Sequence, residues 1–496
     1  MSSIFGGLEI AKTGLYISQQ AMNVTANNIS NANTKGYTRQ RISSESLYPS
    51  VFTRFHEGVA VGAGVRIKNV EQIRSAYIDR QLRSGYSALG YSSTRAQEME
   101  FICSIINETS NNSSISLALS DFYNSLSQLS ASPDNAEIRT NVQQNGLKLC
   151  ETLNYYYNQL VDQQNSYNES MKATVDSINS DLAAIADYNR QIAAYELSGQ
   201  SANELRDKRA LALDDLSKLI NIDYSEDETG QITIKTGGST LVDKNNAYLL
   251  EAKPELTGKV SGESGYYQIY VTGEETPLVY TGGQLKAYSD LRDGDTVGTV
   301  GIPYMLENLN TLARSLAKEF NAVHRTGYTI PAGSGGSLTG IDFFNVPVDG
   351  YDGITAGNIS LSAMVLENVN NIAASSSPID LNAADTQEGN NEVALKLYAL
   401  ASSKDIEDIG NFENFLKSFI VKVGISSTSA KDMNASQDTI VTNLENRRES
   451  ISGVSIDEEM VNLMANQHAF AAASRMLTAI DDALDTLIKR TGIVGT

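Results

Sequence analysis

The chain has 496 residues, 41% of them hydrophobic and 20% charged, with a formal net charge of −21. That is more chain than one core usually organises, so two or three domains are expected. The charge argues against a nucleic-acid partner, whose phosphate backbone would repel it, and no apolar run approaches the roughly 18 residues of a membrane span.

The N-terminus reads MSSIFGGLEIAKTGLY. It lacks a basic region, an apolar block and a small-residue cleavage site, so no removable signal peptide is expected. It reads instead as a long helix. Leu8, Leu15, Met22 and Ile29 recur every seven residues, and Ile4, Ala11, Ser18 and Thr25 fill the alternate row. Steps of four and three alternate throughout, which is the spacing of a coiled-coil face. Asn and Gly in NANTKGYTRQ, residues 31–40, end that helix. From Tyr37 to about Arg66 the composition suits strands or an ordered loop. Helix is expected from near Glu71 to about Ile222, with breaks near Asn111, Pro133 and Gly199.

From about Asp223 to Gly283 the pattern changes. QITIKTGGSTLV and YYQIYVTGEETPLVY alternate apolar and polar residues between Gly-rich turns, as hairpin strands do. Helical spacing returns at Ile302, Leu306, Leu309, Ala313, Leu316, Phe320 and Val323, then from Glu392 to Leu400 and from about Asn411 to Arg448. The C-terminus repeats the opening device. Leu463, Phe470, Leu477 and Leu484 lie seven apart, and Ala473, Ile480 and Leu487 complete the stripe. Ser455-Ile456-Asp457-Glu458 before it reads as a capping box. The fold class expected is therefore mainly α with an inserted β-rich domain, and the two chain ends are natural partners in space.

The search for chemistry is negative. There is no P-loop, HExxH or GxSxG, and GSGG at 333–336 lacks the lysine and helix start of a phosphate cradle. Cys103 and Cys150 belong to no CxxC pair and read as core or helix-face thiols. Of the histidines His56, His324 and His468, the last sits one residue off the C-terminal seam among Asn, Gln and Ala, where a structural contact is the better reading. His324 reads as a helix-end residue. The carboxylate pairs Asp214-Asp215, Glu458-Glu459 and Asp481-Asp482 point in different directions on a helix and are not set up for acid–base work. Tyr155-Tyr156-Tyr157 has no basic residues interleaved for stacking on bases, so it reads as helix packing. No catalytic, cofactor-binding or metal-binding residue is expected.

NVTANNISNANTKGYTRQ, residues 23–40, resembles the N-terminal signature of the flagellar rod, hook and hook-associated proteins. Asn27, Asn28, Asn31, Ala32, Thr34, Gly36 and Tyr37 match it. GVSIDEEMVNLMANQHAFAAASRMLTAIDDALDTLI, residues 453–488, resembles its C-terminal counterpart, and flagellin looks different at both ends. Between them FYNSLSQLSASPDNAEIR, SGQSANELRDKRALALDDLSKLI, LARSLAKEFNAVHRTGY, IDFFNV, GNNEVALKLYAL and FENFLKSFIVKVG look like segments of the hook-associated protein 1 family. Residues 223–283 match weakly, and cysteines are unusual in such proteins.

The resemblance implies three domains: terminal coiled-coil helices (1–36 with 453–496), a discontinuous helical middle (37–222 with 284–452) and an outer β domain (223–283). It implies a structural, non-enzymatic subunit that leaves the cell through the type III export channel without a cleaved signal. The subunit would assemble on the extracellular flagellum at the hook–filament junction. The partners implied are further copies in a ring or helical array, hook protein, hook-associated protein 3, and an export chaperone at the C-terminal helix. Ile4, Leu8, Leu15, Met22, Ile29, Leu463, Phe470, Leu477, Ile480, Leu484 and Leu487 would form the assembly interface. Ordering some 25 residues costs roughly 1–2 kcal/mol each, against about 1.5–3 kcal/mol for each large seam residue buried. The ends are therefore expected to stay disordered in the monomer until neighbours supply the missing surface. Alternative readings are hook protein, hook-associated protein 3, a surface adhesin or a wall hydrolase.

Overall fold

A computed structural model describes residues 2–47, 62–106, 114–255, 266–331, 336–382, 387–404, 406 and 409–490. The readings at His56 and at most of GSGG, and the side chain of Ile4, lie outside what it describes.

The mainly α reading with a β insertion holds. The helices are α1 (Ser2–Ser30), α2 (Ala76–Ile105), α3 (Ile115–Ala131), α4 (Ala136–Glu196), α5 (Asn203–Leu219), α6 (Gly283–Asp293), α7 (Ile302–His324), α8 (Ala363–Glu367), α9 (Glu392–Ala399), α10 (Phe412–Ser452) and α11 (Ile456–Arg490). At 61 residues, α4 is roughly 90 Å long. The first two strands, β1 (Gln40–Ser46) and β2 (Val65–Gln72), pair antiparallel, with a bulge at Ser43/Ser44. The segment read as β carries β3 (Asp223–Glu226), β4 (Ile232–Thr236), β5 (Ser239–Asp243), β6 (Asn246–Ala247), β7 (Leu250–Glu255) and β8 (Tyr266–Val271). They form a four-stranded antiparallel sheet, β3-β4-β5-β6, and a β7-β8 hairpin.

Two expectations need correction. The helix placed from Glu71 starts at Ala76, because the VRIKNVEQ segment continues as β2 against β1 through Gln72. The capping box at Ser455 is half made. Its hydroxyl accepts from the Glu458 N–H at 3.5 Å, but the Glu458 carboxylate turns away to Arg39, a stronger charged partner than a backbone amide.

The chain divides into two compact units. The first holds residues 1–90, 174–283 and 436–496, and the second holds 91–173 and 284–435. The β segment thus groups with both chain ends.

In the first unit α2 meets α5 at Gly90. A Cβ there would stand 2.1 Å from the Lys218 carbonyl oxygen, so only glycine fits. Gly90→Ala is expected to cost at least about 1–3 kcal/mol by overpacking against rigid backbone, read as a lower urea midpoint. Nearby, the buried Arg209 donates to Asn189 Oδ1 at 2.8 Å, the Gly230 carbonyl at 2.5 Å and Glu226 Oε1 at 2.9 Å, fastening the β3–β4 turn to α4 and α5.

The second unit is built around an aromatic cluster. Phe122, Phe320, Phe343 and Phe344 are fully buried, with ring centroids 4.7–6.2 Å apart. Asn321 holds the two phenylalanines of IDFFNV in place. Its Oδ1 accepts from the N–H groups of Phe343 and Phe344, and its Nδ2 donates to the Phe344 carbonyl. Tyr156 is buried in the same core and Tyr157 packs over Gly357, while Tyr155 is exposed, so helix packing explains that run. Cys103 and Cys150 are free thiols.

His324 closes α7, as its sequence position suggested, and is wholly buried. Its Nδ1 lies 2.7 Å from the Ile341 carbonyl, and its Nε2 accepts from the Ala373 N–H at 2.9 Å. Burial pushes the imidazole down to about 4; the Ile341 carbonyl and Asp342 pull upward and Arg139 pushes downward. A depressed histidine destabilises the fold in acid, since the unfolded chain takes up its proton near 6.5 while the folded chain resists until about 4. This contribution is complete above 6.5 and falls away toward 4, about 3 kcal/mol in all. Urea midpoints measured across that window should fall more steeply in the parent than in His324→Gln.

Candidate assembly interface

The two chain ends pair with each other. A Cβ on Gly7 would lie 3.4 Å from Ile480, and one on Gly14 would lie 4.0 Å from Ala473 Cβ. Asn28 bonds to Glu459 at 3.0 Å. The numbers in each of these pairs add to 487, so α1 and α11 run antiparallel in one register for three heptads. Glycine at 7 and 14 lets the helices approach at the points where Ile480 and Ala473 project.

Burial separates the two rows of the α1 seam. The small residues Ala11, Ser18 and Thr25 are buried, while Leu8, Leu15, Met22 and Ile29 are half-buried. On α11, Leu463, Phe470, Ala473, Leu477, Ile480, Leu484 and Leu487 form the half-buried row, and Met460, Val461, Met464, Met476 and Ile488 are exposed. A single chain therefore leaves every large residue of both stripes partly open.

The 27–40 motif clasps this helix pair to the rest of the first unit. Asn28 is 1% exposed, and its side chain is saturated. Its Oδ1 accepts from the Gln40 N–H at 3.0 Å and the Tyr37 hydroxyl at 2.8 Å, while its Nδ2 donates to the Gln40 carbonyl and to Glu459. Asn27 and Asn31 bond to each other, and Thr34 donates to Asn31, shaping the turn after α1. The N–H of Ala32 bonds to the Ile29 carbonyl. Gly36 takes φ +81° beside Leu211, a conformation that favours glycine. Burial, then Asp207, Glu204 and Glu459, raises the Tyr37 phenol, so it stays a hydrogen-bond donor.

Several partners were not legible as such. Arg39 reaches Glu459 at 2.7 Å and Glu458 at 2.9 Å, so that acidic pair captures an arginine. Asp207 accepts from the Thr38 N–H and hydroxyl and from Gln72. Asn203 donates to Gln40 Oε1 and the Val70 carbonyl. The segment ANELRD signalled a helix, and nothing in its spacing said that it faces residues 38–40. Asp214 likewise bonds Arg83 at 2.9 Å and Arg448 at 2.6 Å, and Asp215 bonds Lys218, so these carboxylates are ion-paired. Asp481, Asp482 and His468 are exposed. Among the described residues no group of three His, Cys, Asp or Glu is placed to hold a metal, and no helix is long and apolar enough to cross a membrane.

Asn28→Ala should strip buried partners from Gln40, Tyr37 and Glu459 at a cost of about 2–4 kcal/mol. Asn28→Asp should be no better, because it sets a second carboxylate beside Glu459. Amide-exchange protection over residues 8–29 reports both.

A terminal coil clasped to its body by this asparagine-rich turn defines a flagellar axial protein of the rod and hook type. Residues 8–38 match the family described as flagella basal body rod protein, and 447–490 match flagellar basal body rod FlgEFG protein C-terminal. Residues 99–344 match flagellar hook-associated protein FlgK helical domain. Over its full length the chain is 31% identical to the whole of flagellar hook-associated protein 1 of Bacillus subtilis. It is 24% identical to that of Escherichia coli, with 98% of this chain and 100% of that one covered. The flagellar hook junction protein FlgK from Burkholderia pseudomallei shares the fold, with TM-score 0.60 and 15% identity over 75% of this chain and all of that one. The chain belongs to the flagellar hook-associated protein 1 family and is a structural component of the flagellar junction.

Proposed function

We propose that the protein joins hook to filament by packing its terminal helices against those of neighbouring copies. The observation that carries this is the α1–α11 pair. Its seam is formed within one chain, yet both large-residue stripes stay half open. Repeated heterologous contacts around the flagellar axis would cover them. The interface would comprise Ile4, Leu8, Leu15, Met22 and Ile29 of α1 with Leu463, Phe470, Leu477, Ile480, Leu484 and Leu487 of α11.

In this reading the subunit is exported unfolded without a cleaved signal and works outside the cell. It meets hook protein on one side and hook-associated protein 3 on the other, and an export chaperone covers α11 beforehand. The terminal helices assemble, the helical middle supports them, and residues 223–283 form the outer surface. In this reading the role is mechanical and non-catalytic, and the ion pairing of Asp214, Asp215, Glu458 and Glu459 supports it.

Antibody labelling of purified flagella tests the proposal. Label confined to a short band between hook and filament is expected. Label spread along the hook or filament would overturn it. Removal of residues 223–283 should leave that band in place.

A further inference from the structure

Helix α5 carries two polar faces that serve different parts of the first unit. Asn203, Asp207 and Asp214 follow at steps of four and seven, so they share one face, and Arg206 and Arg209 lie on the adjoining one. Asn203, Asp207, Arg209 and Asp214 are buried.

The first face holds the turn after α1. The Thr38 N–H and hydroxyl donate to Asp207 at 3.1 and 2.6 Å. Gln72 donates to Asp207 at 2.8 Å and to the Asn203 carbonyl at 3.0 Å. The Arg39 N–H then donates to the Ser452 carbonyl at 2.9 Å, and the Gln40 N–H to Asn28 at 3.0 Å. Three consecutive amides are thus anchored to α5, α10 and α1 in turn. The second face holds the β3–β6 sheet. Arg206 and Arg209 bond Glu226 on β3 at 2.6 and 2.9 Å. Arg209 also donates at 2.8 Å to Asn189 of α4, which is wholly buried and saturated. Its Oδ1 accepts from the Ile232 N–H at 3.1 Å, and its Nδ2 donates to the carbonyls of Ile232 at 2.8 Å and Lys244 at 2.7 Å.

We propose that α5 couples the two, so that the β3–β6 sheet and the turn gripping the terminal helices open and close as one cooperative unit. Asp207 stands between Arg206 and Arg209 on one turn of helix, so a shift that frees the arginines also moves the carboxylate. Hydrogen bonds to it weaken steeply once their angle is lost, and a close-packed interior does not absorb the shift gradually. The hold on the terminal helices then depends on residues 223–247, although none of them belongs to the coil. The inference goes beyond the assembly reading and does not rest on it.

Two asparagines of α4 give a matched comparison. Asn189 fastens the sheet and continues to Arg209. Asn179 fastens β7, donating to the Leu250 carbonyl at 2.9 Å and accepting from the Leu250 N–H at 2.7 Å, and bonds no residue of α5 among the described residues. Amide exchange of the full chain in solution is read at Thr38, Arg39 and Gln40. Asn189→Ala should speed it about tenfold, the size expected of groups tied into one hydrogen-bond network. Asn179→Ala should speed exchange at Leu250 and leave residues 38–40 within about twofold of the parent. Coupling is reciprocal, so Asn28→Ala should speed exchange in β4 as Asn189→Ala does at 38–40. Should Asn189→Ala fail to fold, the same comparison is made with Glu226→Gln, which weakens both arginine contacts. Faster exchange in β4 with residues 38–40 unchanged would overturn the coupling. Equal losses at 38–40 from both asparagine variants would overturn it too, since they would mark general destabilisation.

Discussion

Leu477→Asp is expected to leave cells with bare hooks and filament subunits lost to the medium. Leu477 belongs to the half-buried row of α11 that faces α1, between Ala473 and Ile480, whose side chains lie against Gly14 and Gly7. A carboxylate there loses the apolar contact and must keep its charge beside a closing seam. Leucine-to-small changes in cores cost about 2–5 kcal/mol, and an unpaired charge adds to that unless it reaches water or takes up a proton. The loss recurs in every subunit, so assembly fails steeply. The second compact unit makes no use of this residue, and its melting should be unchanged. Leu477→Met nearly conserves volume and should be tolerated. Electron microscopy of flagella, with secretion of the variant confirmed in the medium, decides the matter. Normal filaments from the aspartate variant would remove α11 from the joint.

Arg139→Met is expected to destabilise the second unit by about 2–6 kcal/mol, the cost of leaving two buried carbonyls without their charged donor. Arg139 is completely buried, at 0% exposure, in the first turn of α4. Its guanidinium donates to the carbonyls of Pro133 at 2.7 Å, Ile372 at 2.6 Å and Asn370 at 3.4 Å. One side chain thus ties the turn before α4 to the 368–374 segment, which also supplies the Ala373 N–H to His324. Burial pulls the guanidinium down to about 10, with Asp134 opposing, so it remains charged at neutral pH. Methionine fills much of the volume but leaves the Pro133 and Ile372 carbonyls without a donor, while the Asn370 carbonyl keeps the Ile330 N–H. Lysine offers a compact ammonium in place of the planar fork and should recover only part of the loss. Urea midpoints of the three proteins should fall in the order parent, lysine, methionine. An unchanged midpoint in Arg139→Met would show that water replaces the guanidinium.

Assembly and fold thus depend on different residues. Leu477 serves a surface that is half open in one chain, whereas Arg139 is enclosed. Substitution of the first should spare the second unit and block the structure built from the chain. Substitution of the second should lower the yield of folded protein before assembly begins.

The amino-acid sequence by itself determined the helical faces, the β insertion and the family. These depend on local period and contiguous motif: the seven-residue recurrence of Leu8 and Leu463, the alternation in QITIKTGG, and the run from Asn27 to Tyr37. Glu71 shows the limit of such reading, because VRIKNVEQ becomes a strand through its pairing with residues 40–46. Only the tertiary structure decided that α1 and α11 run antiparallel with Gly14 against Ala473, that Asn28 reaches across 431 positions to Glu459, and that Asp207 closes on Thr38. A heptad states which face is apolar but carries no record of what covers it. A polar residue gives no sign of its distant partner, since that choice is made when the chain buries the two groups together and removes the water that would otherwise satisfy their hydrogen bonds.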